Sequence, residues 1–422
     1  MRFPQTLFLL IPLLLMPMPG PPGIGPPFHG NAWGEEGGWL SGSVRASWWS
    51  AGKTPEAGPG AQASSLWVKS GASLFDGKAA FHGEGWLRDD SYCQSGYPAK
   101  ANLREGFIDI STENFDLRAG RQIIAWGRTD AVNPTDNLVM RDFTLATPED
   151  ADQKSGVGAL KGAYQTGNHR FIAIWLPEFR ANLLPFPKGT PVMTETKSDI
   201  ALSQWAAKVE YTASDYEYSV SYFDGFDRNP DFALTGAEVT MRYGRLKAYG
   251  ADGAFTSGRY GFRAEAAYLA SEDATGQDPF TKNPVFFAVA GGDRTFGDNF
   301  NVNLQYLFRQ VFNYRAPESI TPAAALPLAE AAVFAANQYD ETQHGLTFRI
   351  GDKWLNDTLE AEIAGLVWLQ HGDSLIRPKI TYAATDTIRL SMGADSYQGP
   401  HNSFFGRLTD FTTFFFELRW GY

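Results

Sequence analysis

Apolar and polar residues alternate along most of this chain. Trp205, Ala207, Val209 and Tyr211 interleave with Gln204, Ala206, Lys208 and Glu210, and Tyr216, Tyr218, Val220 and Tyr222 with Glu217, Ser219 and Ser221. The same rhythm runs through 260–268 and 300–309. It closes the chain, where Phe414, Phe416, Leu418, Trp420 and Tyr422 alternate with Phe415, Glu417, Arg419 and Gly421. A period of two belongs to a β-strand whose faces meet different surroundings. The pattern predicts strands at 40–49, 65–75, 79–88, 102–111, 115–126, 156–165, 169–177, 203–212, 216–224, 238–255, 259–270, 285–294, 300–311, 342–350, 358–369, 374–384, 387–397 and 408–422. The segment 238–255 is long enough to be a strand plus an ordered loop.

The connections alternate too. Short ones at 76–78, 112–114, 166–168 and 213–215 are interleaved with long ones at 50–64, 89–101, 127–155 and 178–202. Only 370–373 breaks the alternation, being short where a long loop is due. Long outer loops and short periplasmic turns are the habit of a transmembrane β-barrel. Closure removes the unpaired edges of an open sheet. It also satisfies every backbone group within lipid, which offers no hydrogen bonds. The expected fold is therefore all-β: one closed antiparallel barrel of about eighteen strands, with sixteen as the alternative count. A soluble propeller or solenoid would need a fixed repeat, which is missing here. It would also leave unexplained why strand after strand puts Tyr, Phe and Trp on one face. Aromatic residues near strand ends suit the two girdles at the lipid interface.

Composition changes the picture in three places. Arg2 precedes an apolar run over 7–18 that is broken by Pro12 and Pro17. The run is too short for a membrane helix and reads as a secretory signal. The expectation is a signal peptide over 1–32 and a barrel over 33–422 in the outer membrane of a Gram-negative bacterium. With the first strand so near the expected cleavage site, no folded plug domain precedes it. One cysteine, Cys93, excludes an internal disulfide. The formal charge of −11 argues against a nucleic-acid partner.

One stretch is dense in motif residues: NLREGFIDISTENFDLRAGRQIIAWGRTDAVNPTDNLVMRDF. Its landmarks are Leu103-Arg104-Glu105, Gly120-Arg121-Gln122, Trp126-Gly127 and Asn133-Pro134-Thr135-Asp136. Over about 45 residues it resembles a family of Gram-negative outer-membrane porin-like barrels, mostly of unassigned function. That family carries an LREAY-like strand followed by GRQ, WG and NPxD; the alginate-export porins are similar more distantly. The resemblance implies a barrel and no particular substrate. It marks Trp126, Asp130, Asn133, Pro134 and Asp136 as a motif loop, at and just after the start of the long loop 127–155. Asp, Asn, Pro and Thr in that loop build turns through side-chain bonds to backbone. The loop is a candidate to fold inward and narrow the lumen, with an exposed outer loop as the alternative. A second long loop, 312–341, holds an Ala-rich stretch. Residues 323–336 are expected to form a short helix interrupted at Pro327, placed as a cap or a plug.

The polar face of each strand predicts the pore lining. Its basic members are Arg45, Lys69, Arg118, Arg121, Lys161, Lys208, Arg263, Arg309, Arg349, Arg377, Lys379, Arg389 and Arg419. Its acidic members are Glu84, Glu105, Asp109, Glu210, Glu217, Glu265, Glu360, Glu362, Asp395 and Glu417. Opposite charges should pair across strands. Arg121 shares its parity with Leu117, Ala119, Ile123 and Ala125, which would aim it at lipid. A charge there costs about 2–4 kcal/mol at the midplane, so a bulge near Gly120 is expected to turn it inward.

Chemistry is sparse. No histidine sits in a hydrolase motif, although His82 and Glu84 share a face. Asp224, Asp227 and Asp231 crowd together without calcium-loop spacing and read as an ordinary loop. The expectation is a channel with no catalytic residue, metal or cofactor, passing polar and anionic solutes passively or by facilitation. Its partners would be outer-membrane lipid, lipopolysaccharide and small polar solutes, with a homo-oligomer or envelope transport partners beyond these. The alternatives are an outer-membrane component of a lipid or exopolysaccharide export system and, more remotely, a barrel-embedded hydrolase.

Overall fold

The computed structural model describes residues 38–52, 59–91, 101–185, 193–194, 203–235, 238–320 and 325–422. The signal-peptide expectation over 1–32 and Cys93 lie outside the described residues. Eighteen strands form one antiparallel ring. They are β1 (Gly38–Ala51), β2 (Pro59–Leu74), β3 (Ala79–Asp90), β4 (Ala101–Ser111), β5 (Phe115–Gln122), β6 (Val157–Thr166), β7 (His169–Leu176), β8 (Gln204–Thr212) and β9 (Tyr216–Phe226). The ring continues with β10 (Arg245–Ser257), β11 (Tyr260–Ala270), β12 (Val285–Phe296), β13 (Phe300–Val311), β14 (Thr342–Trp354), β15 (Leu359–Trp368), β16 (Asp373–Ala383), β17 (Ile388–Gln398) and β18 (Thr413–Gly421).

Each strand pairs with its neighbours in chain order, and β18 returns to β1 in a register that runs from Ser43↔Gly421 to Trp49↔Phe415. Tyr422 exchanges backbone bonds of 3.0 and 3.1 Å with Gly42, which completes the seam. Among the described residues no strand of the ring is left as an edge, as the closure argument required. The two-residue turns Gly167-Asn168 and Gly258-Arg259 put glycine first, at φ +55° and +60°, as a tight antiparallel hairpin needs. All short turns but one gather at one end of the barrel and the long connections at the other. The four-residue link after Trp368 is the one short connection at the loop end.

The expected strand over 238–255 is two elements. Glu238–Arg242 pairs with Asp231–Thr235 in a small ribbon outside the ring, and β10 starts at Arg245. Alternation continues through both, so the pattern alone did not separate them. The Ala-rich segment forms helix α1 (Leu326–Ala336) with Pro327 in its first turn. Proline there breaks no hydrogen bond, because the first-turn N–H groups have no helical partner, so the expected interruption does not occur.

The two faces differ as the alternation requires. Phe414, Phe416, Leu418 and Trp420 are exposed on the outside of β18, whereas Phe415 and Glu417 are buried inside. Val209, Tyr218, Val220, Tyr249 and Leu304 continue the exposed apolar face round the ring. Apolar residues that would be costly in water are stable there only against hydrocarbon.

Candidate functional site

The inside of the barrel is charged and largely paired. Arg118 chelates Asp109 through two N–H groups at 2.6 and 2.8 Å. Lys69 meets Glu84 at 3.3 Å, Lys208 meets Glu210 at 2.9 Å, and Arg349 meets Glu362 at 2.9 Å. All but Lys208–Glu210, which lie two apart on one strand, are the cross-strand pairs anticipated from parity. Every charged residue expected inside carries the inward parity of its strand except Arg121.

The expected bulge is on a different strand. Between β3 and β4 the register passes from Glu84↔Glu105 to Gly85↔Leu103, leaving Arg104 as the extra residue. Both Arg104 and Glu105 then point inward. Along β5 the register is unbroken, so Arg121 stays on the outward parity of Leu117 and Ala119, opposite Gly106 and Gly158. Arg121 Nη1 donates to the Leu103 carbonyl at 2.9 Å. The reading that placed Arg121 inside is corrected: Arg104 takes that place. Its guanidinium reaches Glu84 at 2.6 Å, the Lys154 carbonyl at 2.8 Å and the Ala151 carbonyl at 2.7 Å. Strict alternation had hidden it.

Those two carbonyls belong to the long β5–β6 connection, which folds into the lumen. Glu265, inward on β11, is the anchor. One carboxylate oxygen accepts from the Thr135 N–H and hydroxyl, both at 2.7 Å. The other accepts from the Thr129 hydroxyl at 2.9 Å, the Arg128 N–H at 3.1 Å and Asn133 Nδ2 at 3.1 Å. Gly127 has φ +101°, and a Cβ there would lie 2.5 Å from that carboxylate, so only glycine lets the chain come this close. The motif residues shape the turn itself. Asn133 Nδ2 donates to the Thr129 carbonyl at 2.7 Å, and Asp136 Oδ1 accepts from the Trp126 N–H at 3.3 Å. Pro134 and Asp136 face the cavity described below. Asp130 takes up Arg263 at 3.2 Å and Gln305 at 3.0 Å.

The far end of the loop is fastened on other sides of the ring. Asp150 meets Arg377 of β16 at 2.9 Å, Glu149 meets Lys379 at 3.1 Å, and Asp152 pairs with Arg45 of β1. Arg88 of β3 approaches Asp142 at 3.7 Å and donates to the Thr144 hydroxyl at 3.1 Å. Burial pushes the Asp150 carboxyl up, and Arg377 beside it offsets part of that rise. Wall bases predicted to face solute are thus neutralised by loop acids. The loop's fastenings therefore run round the inner wall from β1 and β3 to β11 and β16.

Helix α1 packs against the inner wall nearer the loop end. Leu328, Ala332 and Phe334 are buried in one cluster with Phe404, Phe405 and Leu408 and with wall residues such as Leu307 and Val311. Arg309 of β13 donates to the Asn337 carbonyl at 2.8 Å, placing a cation at the helix C-terminus. Between the inward loop, the end of α1 and the wall from β10 to β13 lies a cavity of about 200 Å³.

Two side-chain clusters noted in the sequence have ordinary partners. His82, Glu84 and Glu105 bring three ligand atoms within 4.8 Å of one another, but Glu84 is held by Arg104 and Lys69 and Glu105 accepts the Ile123 N–H. Asp224 pairs with Arg245, and Asp227 and Asp231 with Lys282.

Comparison with known proteins places this geometry. The chain resembles the outer membrane protein OpdK of Pseudomonas aeruginosa, with a TM-score of 0.56, 8% identity, and coverage of 92% of this chain and 99% of that one. OccK11 (OpdR) of the same organism gives 0.51 at 10% identity, covering 91% and 95%. The fold is that of outer-membrane β-barrels. With its apolar outer belt, it places the chain in an outer membrane. A mutant of the Rh. blastica porin aligns over 92% of this chain and 100% of that one, at 12% identity and a TM-score of 0.45. No family model matches the sequence, and no curated protein matches it.

Proposed function

We propose that this chain is a selective outer-membrane channel for small polar and anionic solutes, without catalytic or cofactor chemistry. The observation that carries this reading is the loop 127–155 tied to several sides of the lumen by buried charges. A general diffusion pore needs open cross-section. Here the passage is reduced to what the inward loop and α1 leave, and selection falls to the groups that line it. The LRE–GRQ–WG–NPxD signature supports membership of the porin-like family that carries it, because its residues build this inward turn. The same obstruction favours, as a second reading, a component of an envelope export system whose partner displaces the loop.

Purified protein in planar bilayers decides between them. The channel reading predicts small unitary conductance without a partner, and a reversal potential in a KCl gradient on the anion-selective side. Cation selectivity would overturn the solute class. Complete electrical silence would favour the partnered exporter.

A further inference from the structure

We propose that Arg121, with Arg180 beside it, docks a headgroup phosphate of an outer-leaflet lipopolysaccharide on the lipid-facing side of the barrel. The inference goes beyond the channel reading and does not rest on it.

The first observation is where Arg121 stands. It is the last outward residue of β5, which ends at Gln122. A cation on the lipid face is costly at mid-depth and tolerable where it reaches the interface or a counter-charge. Arg121 reaches toward the interface. Its register partner on β4 is Gly106, yet its guanidinium donates to the carbonyl of Leu103, nearer the loop end. The loop end of an outer-membrane barrel faces outward, toward the leaflet that carries lipopolysaccharide. No counter-charge of the protein meets it there, because Arg121 makes no ion pair among the described residues. The residue is half-buried, and none of its unpartnered nitrogens is closed off by protein.

The second observation is another cation at the same spot. A Cβ on Gly156 would lie 2.9 Å from Arg121 Cγ, so the stem of Arg121 crosses that glycine. Arg180, from the connection after β7, donates to the Gly156 carbonyl at 2.6 Å. Two guanidinium side chains thus converge where Gly156 meets β4, donating to the Arg104 carbonyl at 2.8 Å. Burial, with the Arg121 charge beside it, holds Arg180 below the ordinary arginine range. Glu178 and Asp142 act on Arg180 from farther off, and neither makes an ion pair with it. Glu178 instead accepts the Gly158 N–H at 2.9 Å, and Asp142 approaches Arg88. Two like charges held together call for an anion with several oxygens, and a phosphate presents them to both guanidinium forks.

The neighbouring wall places that phosphate on a lipid. Ile108, Leu160 and Trp175 stand level with Ala119, one outward step from Arg121 toward the turn end, and all three are exposed. An apolar belt therefore begins directly beneath the arginines. Acyl chains cover such a belt while the headgroup meets the cations above it.

The test is native mass spectrometry of the full chain in maltoside micelles, titrated with diphosphoryl lipid A, with the same lipid stripped of both phosphates, and with inorganic phosphate. The site predicts that one diphosphoryl lipid A is retained and that the stripped lipid binds about tenfold more weakly, since charge-assisted bonds are at stake. Arg121→Gln should remove that preference. Arg121→Lys should keep part of it, because the charge stays and the fork is lost. Arg294→Gln, at the turn end of β12, should leave it unchanged. Circular dichroism of each variant establishes that the barrel has formed. Equal binding of the two lipids to the unaltered chain would overturn the site without any variant. So would an undiminished preference in folded Arg121→Gln, or an equal loss in Arg294→Gln. Displacement of the lipid by millimolar inorganic phosphate would show a free-anion site and overturn the lipid assignment. Conductance in planar bilayers tests the channel reading separately, and its failure would leave the lipid preference standing.

Discussion

Glu265→Ala should release the inward loop while leaving the barrel standing. The carboxylate accepts from Arg128, Thr129, Asn133 and Thr135, and it is almost fully buried. Removing it orphans several donors at once, each costing about 1–3 kcal/mol when it stays buried. The loop avoids that penalty by leaving the wall, and so the loss is local. Amide exchange at Thr129 and Thr135 should accelerate by about two orders of magnitude or more, as expected for a loss near 3 kcal/mol. Amides in β11 away from the site should keep their protection. Single-channel records should become noisier and larger. Glu265→Gln, which keeps one acceptor oxygen, should give a smaller change. Unchanged exchange at Thr135 in Glu265→Ala would mean that the ring does not hold the loop through this residue.

Val220→Arg should be the most damaging single change on the barrel wall. Val220 is exposed on the outward face near the middle of β9, paired with Val209 on one side and Ala251 on the other. An arginine at lipid mid-depth costs about 2–4 kcal/mol, falling toward zero near the interfaces. Thr381, by contrast, is inward on β16 and half-buried, beside Ser391. Thr381→Arg should shift stability by less than about 1 kcal/mol, because the interior already accommodates charge. Urea unfolding in lipid vesicles measures both. Equal costs at the two sites would contradict the assignment of faces.

Much of this was legible from alternation alone. All eighteen strands were placed, because a period of two persists wherever one face meets lipid and the other does not. The faces of the charged residues followed from the same parity. Arg121 was placed inside by a bulge expected on β5, where the register is unbroken, and Arg104 was missed among the inward residues because the bulge on β4 changes parity without changing composition. Gly120, at φ +127°, was the visible irregularity, yet the register shift sits on its partner strand. The inward fold of 127–155 was less legible. Its acids, Asp130, Asp150 and Asp152, are answered by Arg263, Arg377 and Arg45, which lie far away in sequence, and pattern does not reveal long-range partners. The match of an acidic loop to a basic wall was present in the composition of each, and only the closed ring joins them. Pro327 was read as a break because its place in the first turn of α1 depends on where the helix starts.

The central claim is that the loop between β5 and β6 lies inside a closed barrel and limits passage through it. The direct measurement is unitary conductance in planar bilayers of the intact chain and of a variant in which 128–153 is replaced by a short Gly-Ser turn. Gln122 already pairs with Val157, so the hairpin can close without the loop. The account predicts a severalfold larger, steady conductance in the shortened chain. Equal conductance in the two would contradict it.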